Sequence, residues 1–266
     1  MKKICKSCGK IYSTPFCGYC GEKSLNASDF SLKKITGEAF EAFTNFDSRF
    51  FRTFGLLFFT PWRLSRAYIE GKRVPYMKPF QIFLIANLIF FIFLSDFDLF
   101  RTPSQWLFND SFKGFSFAEK VREIMLANNE SYESVARRYD RLSSDLSKAF
   151  LIFMTPVLAG MFMLFSFKFK TRFTKHFIVG IHFLSLLLLI FTFIYGIFRI
   201  ADYNGRVVFI SLILLTIHSY LFFIFKNFYK TPWWLAILQT LMGGLSVYWI
   251  FQLYKWAINF ISIHFI

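Results

Sequence analysis

Four cysteines are spaced as Cys5-x2-Cys8 and Cys17-x2-Cys20, with eight residues between the pairs and Gly9 and Gly21 following the second cysteine of each. Thiolates at this spacing can close a tetrahedral shell around one metal ion, and the glycines permit tight turns about the sulfurs. A closed shell of four thiolates is structural, because it leaves no coordination position for a substrate. The reading is a Zn2+ ribbon over residues 1–24, with iron as the competing ion. So short a segment buries too little apolar surface to fold alone, so metal binding supplies its folding free energy. All four cysteines of the chain lie here, which leaves none for a disulfide and fits thiols kept reduced in the cytosol. Tyr12, Phe16 and Tyr19 are expected to form a miniature core. Lys2, Lys3, Lys6, Lys10 and Lys23 raise nucleic acid as a ligand, the weaker reading.

A second polar set lies inside apolar stretches: Asn87, His182, His218 and Gln239. Its meaning depends on the elements that carry it. The 266 residues are 55% hydrophobic and include 41 Phe, and the apolar residues come in long blocks. Five blocks approach or exceed the roughly 20 residues that a bilayer-crossing helix needs. They run at about Pro79–Ser95, Ala149–Phe167, His176–Phe198, Val207–Phe225 and Trp233–Tyr254. Pro156 is expected to kink the second or mark its start. The fold class that follows is an all-α polytopic membrane protein of about five helices, preceded by the ribbon.

Charge orients these spans. Residues 1–78 hold 14 Lys/Arg against 6 Asp/Glu, whereas residues 96–147 hold 7 against 9. The link "KFKTRFTK" is wholly basic, "RIADYNGR" nearly balanced and "KNFYKTP" basic again. Basic excess alternates, so the N-terminus is expected in the cytoplasm and the C-terminus outside. No removable signal peptide is expected. The net charge of +15 is then explained by cytoplasmic loops beside anionic lipid.

Residues 28–78 read as cytosolic interfacial amphipathic helices. Leu32, Ile35, Phe40, Phe43, Phe46, Phe50, Phe54 and Leu57 fall on one face, with Lys33, Lys34, Glu38, Glu41, Arg49 and Arg52 off it. Such a helix lies in the membrane interface or packs on the end of the bundle. Thr60 and Pro61 mark a helix start, and Gly71 its end. The membrane domain covers 79–266, with an extracytoplasmic helical loop at 96–147 that either shields the bundle or senses a ligand. Arg199 and Asp202 are expected to pair.

The knuckles and the stretch "NFDSRFFRTFGLLFFTPWRLSRAYIEGKRVPYMKPFQIFL" resemble the bacterial domain-of-unknown-function family 3667 over about residues 1–95. That family's signature falls here on Thr60, Pro61, Tyr68, Gly71, Lys72, Arg73, Tyr76 and Pro79. The resemblance implies a zinc ribbon, several membrane helices and a bacterial inner membrane, but no established activity.

Within the signature, Lys72, Arg73, Tyr76 and Lys78 stand where the chain enters the membrane. They can anchor the first span, hold an anionic lipid or phosphate, or meet a partner. At 1.5 Å per residue, Asn87, His182, His218 and Gln239 fall at similar depth, about 10 Å into the inner half of the bilayer. The layer is read as interhelical hydrogen bonding, a polar passage or small-ligand site, or haem ligation by His182 and His218. No serine–histidine–acid set, paired carboxylates or phosphate-cradling glycine loop is seen, so the reading leans away from an enzyme. An adaptor that binds membrane lipids and a protein partner or a second copy leads. A small transporter, channel or lipid-handling protein is the alternative.

Overall fold

The computed structural model describes residues 3–23, 48–94, 98–108, 117–166, 172–201 and 205–266. The predicted face from Leu32 to Phe46, with Lys33, Lys34, Glu38 and Glu41, lies outside them, as does Asp202. In chain order the elements are β1 (Lys3–Ile4), β2 (Ile11–Tyr12), α1 (Ser48–Phe59), α2 (Pro61–Glu70), α3 (Pro79–Phe93) and α4 (Ser104–Leu107). There follow α5 (Ala118–Asn128), α6 (Tyr132–Ala149), α7 (Met154–Phe165), α8 (Phe173–Ile200), α9 (Arg206–Phe223) and α10 (Trp233–His264). A 3-10 turn, Leu151–Phe153, precedes α7, and a π turn, Ile224–Phe228, extends α9.

Three helical segments are long and apolar enough to cross a membrane: Phe173–Ile200, Val207–Phe228 and Trp233–His264. The bent pair α6 and α7 makes up to four if counted as one span, and α3 is a shorter apolar helix. The second predicted block thus differs in kind. Its helix is only Met154–Phe165, with Pro156 in the first turn, where a missing N–H costs no hydrogen bond.

The chain divides into two compact units, the first comprising Met1–Phe93 and Thr155–Leu245. Its centre is α8, apolar on all sides and buried from Ile178 to Leu189. Helices α2, α3 and α9 pack on it. A Cβ built at Gly180 would stand 3.2 Å from the Thr155 carbonyl oxygen and 3.3 Å from the Ala159 nitrogen, so α7 and α8 meet backbone to backbone there. Along α9 and α10, by contrast, Ile210, Leu214, Leu215, Leu238, Leu241 and Leu245 are exposed. Apolar surface of that extent on membrane-length helices suits lipid rather than water.

In the same unit, α1 turns Thr53, Phe54 and Leu57 inward. The Thr53 hydroxyl accepts the Met77 N–H at 2.9 Å, and the Tyr220 hydroxyl donates to the Leu57 carbonyl. This part of the predicted interfacial helix therefore packs on other helices, while Phe51 and Phe59 stay exposed. Helix α2 starts at Pro61 and ends at Gly71 in the left-handed conformation, as expected, but the Thr60 side chain makes no cap bond. The Thr60 carbonyl instead accepts from the Arg63 N–H at 2.8 Å.

The second unit is Leu94–Met154 with Ser246–Ile266. The stripe Val135, Tyr139, Ser143 and Ser147 on α6 is buried at every fourth residue, the helical repeat of one face. Val135 and Tyr139 join Leu107, Phe108, Val121 and Ile263 in a small core. The Asp140 carboxylate accepts from Arg101 Nη1 at 2.6 Å, from the Ser104 N–H at 3.0 Å and from the Ser104 hydroxyl at 2.6 Å. Of the stretch read as helical, residues Ala118–Asn128 form α5 and Tyr132–Ala149 form α6.

Candidate metal centre and the turn before α3

The two knuckles are built alike. In the first, the Cys5 N–H bonds the Lys10 carbonyl at 2.9 Å and the Gly9 N–H bonds the Cys5 carbonyl at 2.9 Å. In the second, the Cys17 N–H bonds the Glu22 carbonyl at 2.7 Å and the Gly21 N–H bonds the Cys17 carbonyl at 2.8 Å. Gly9 and Gly21 have φ of 76° and 73°, a region that glycine enters without a Cβ clash. The strands β1 and β2 pair antiparallel around the first knuckle, and Phe16 bridges Lys23 around the second.

These turns bring the four predicted ligands together. Cys5 Sγ lies 3.5 Å from Cys20 Sγ, and Cys8 Sγ 3.6 Å from Cys17 Sγ. All four sulfurs fall within 4.8 Å of one another. A tetrahedral thiolate shell with metal–sulfur bonds of about 2.3 Å has edges of about 3.8 Å, so the donor set fits one ion. The spacing is far beyond the ~2.05 Å of a disulfide. The thiols resist a shared negative charge. The Tyr19 backbone N–H is the main cause that brings Cys17 down to about 7. The Glu22 N–H favours the Cys20 thiolate, but burial and the three neighbouring thiols outweigh it and push Cys20 up to about 12. A bound cation removes that conflict.

Of the three rings expected as the ribbon's core, Tyr12 is half-buried but Phe16 is 54% exposed and Tyr19 68%, while Cys5 and Cys17 are each 2% exposed. A hairpin this small has no second layer to cover rings, so the cysteine cluster itself is the centre. Lys10 sits over the Tyr19 ring at 4.0 Å.

Glu22, 4% exposed, is the functional residue that sequence reasoning missed. Its Oε2 accepts the Arg73 N–H at 3.1 Å, the Val74 N–H at 3.2 Å and the Ser7 hydroxyl. Ser7 lies between two ligands and Glu22 two residues after the last. A signal was available, because Glu22 is the lone acid among residues 1–24. The contact ties the ribbon to the Gly71–Lys78 turn just before α3.

That turn holds the four residues considered for lipid or phosphate. Arg73 lies over the Tyr68 ring at 5.0 Å, the Tyr76 N–H bonds the Arg73 carbonyl at 3.2 Å, and the Lys78 N–H bonds Gln81 Oε1 at 2.9 Å. Lys72 is exposed. Of the polar residues in the spans, His182 is buried with Nδ1 2.9 Å from the Ser65 hydroxyl. His218 Nδ1 donates to the Leu214 carbonyl of its own helix at 2.7 Å. Gln239 Nε2 donates to the Phe165 carbonyl at 2.6 Å. Asn87 Oδ1 is buried with no hydrogen-bond partner among the described residues. None of these bonds joins two of the four. A further buried pair joins His176 Nδ1 and the Tyr229 hydroxyl at 2.7 Å.

Fold and site together define a helical protein with membrane-length spans and a four-cysteine metal-type cluster at its front. Residues 47–91 match the model of a family described as "Protein of unknown function (DUF3667)", the family that the sequence resembles. The match takes in α1, α2, the Gly71–Lys78 turn and most of α3, with every signature residue from Thr60 to Pro79. No curated protein and no solved structure matches the chain.

Proposed function

We propose that the protein is an adaptor or regulator of the bacterial inner membrane, with a structural Zn2+ ribbon forming a cytosolic platform for a protein partner. The N-terminus is cytoplasmic and the C-terminus extracytoplasmic in this reading. The observation that carries it is the Glu22 carboxylate bridging the ribbon to the Arg73 and Val74 amides. Zinc holds the knuckles, the knuckles hold Glu22 and Ser7, and Glu22 holds the ribbon against the turn that leads into the first apolar helix. Ile4, Ile11, Phe16 and Tyr19 are left exposed on the ribbon as contact surface. The chemistry zinc supplies is cross-linking, since all four positions are taken by thiolates.

The test is crosslinking and pull-down from membranes at matched expression, comparing the native chain with Cys17→Ser and Glu22→Gln. The expected result is a specific cytosolic companion captured by the native chain, lost in Cys17→Ser and reduced in Glu22→Gln. Identical companions in all three, or none in any, would overturn the platform. A second reading, a lipid-handling protein, is favoured by one observation, a cavity beside Gln239.

A further inference from the structure

Between the end of α7 and the start of α10 lies a cavity of about 550 Å³, within the range of small-molecule sites. Leu164, Trp234, Leu238 and Met242 line it, and the last three are one stripe of α10 at every fourth residue. From Trp234 to Met242 the stripe extends about 12 Å along the helix. One wall is therefore apolar over the length of a substantial part of an acyl chain.

Polar side chains interrupt the lining: Ser166, Tyr229 and Thr231, and the two that carry the argument, Gln239 and Lys230. Gln239 lines the cavity and is 7% exposed. Its Nε2 donates to the Phe165 carbonyl at 2.6 Å, which fixes the amide orientation, since the opposite one would set two oxygens face to face. Oε1 is then left buried with no hydrogen-bond partner among the described residues. A buried acceptor left without a donor among the described residues is free to take one from a ligand. The second group is Lys230, an exposed cation on the same cavity. It is held in the left-handed conformation with φ of 56°, after the π turn. The Thr231 N–H and hydroxyl, both bonded to the Phe225 carbonyl at 3.2 and 2.9 Å, fix the chain just beyond it.

We infer that this cavity is a binding site for one anionic lipid whose headgroup also carries a hydroxyl donor, such as a phosphatidylglycerol. Its phosphate meets Lys230, its hydroxyl donates to Gln239 Oε1, and an acyl chain lies along Trp234, Leu238 and Met242. Free phosphate satisfies the charge but leaves the apolar wall bare. The inference deepens the lipid-handling reading and stands apart from the ribbon and its partner.

The test uses the full chain in phosphatidylcholine vesicles with a minor fraction of lipid brominated on its acyl chains. The readout is the fluorescence lost to quenching that is absent in Trp234→Phe. Brominated phosphatidylglycerol is expected to quench Trp234 several-fold more effectively than brominated phosphatidylcholine. That preference falls towards one in Gln239→Leu and in Lys230→Gln, each measured beside a circular-dichroism check of helix content. Brominated phosphatidylmethanol, anionic but without a hydroxyl, keeps only part of it, and excess inorganic phosphate leaves it intact. Equal quenching by the two main lipids in the native chain would overturn the site. So would an unchanged preference in folded Gln239→Leu, full preference for phosphatidylmethanol, or displacement by free phosphate. Any of these results leaves the partner capture proposed for the ribbon untouched.

Discussion

At the scale of single residues, the ribbon is governed by proton competition. Thiols must lose protons to bind a metal, so the loaded ribbon carries fewer protons than the empty one. Loading is therefore favoured as pH rises and opposed as it falls. Cys17, at about 7, gives up its proton first, whereas Cys20, at about 12, gains most from the cation. With Co2+ as a spectroscopic stand-in, thiolate-to-metal charge-transfer absorbance is expected to be retained above neutrality. It should disappear on acidification to about pH 5, and a chelator should remove it at any pH. The four ligands were legible in the sequence because their spacing is local. Glu22 stood out as the lone acid of the ribbon, but its partners did not, since those amides lie 51 and 52 residues on and offer backbone rather than a complementary side chain.

At the scale of elements, α8 depends on close approach. Gly180→Ala adds a methyl against the Thr155 and Ala159 backbone, which has little room to yield. The expected cost is about 1–3 kcal/mol, seen as a lower unfolding temperature in detergent, with helix content at low temperature unchanged. Long apolar runs made α8, α9 and α10 legible to within a few residues at most ends. The π turn after α9 extends the fourth span three residues past its expected Phe225 end. The second predicted block hid a break, because Phe150, Leu151, Ile152 and Phe153 are as apolar as the helix after them. Hydropathy reports which solvent a segment tolerates, not where its hydrogen bonds change register.

At the scale of the whole molecule, two compact units invite separate perturbation. Asp140→Asn removes the charge that Arg101 and the Ser104 hydroxyl meet in the second unit. A loss of about 2 kcal/mol is expected for these charge-assisted bonds. Hydrogen exchange should quicken in residues 98–108 and 132–149, while the Co2+ absorbance expected of the four-cysteine cluster in the first unit stays unchanged. The division itself was only partly legible. The helices α5 and α6 could be read from their pattern, but the assignment of Ser246–Ile266 to the same unit could not. One apolar helix, α10, supplies residues to both units, and only the Gly243–Gly244 pair just before the boundary marks the change.

The Glu22 bridge also bears on how related sequences can drift. Its acceptor is a side chain, but both donors are main-chain amides, which every amino acid except proline provides. Mutation can therefore replace Arg73 or Val74 widely without erasing the attachment, whereas position 22 must keep a carbonyl or carboxylate oxygen at that reach. Paired substitutions between the two sites leave little trace, because one partner has no identity to change. Proline already stands at residue 75 and could move one place earlier only by deleting a donor. Descendants of this chain can rewrite the lettering of the turn and still inherit the fastening.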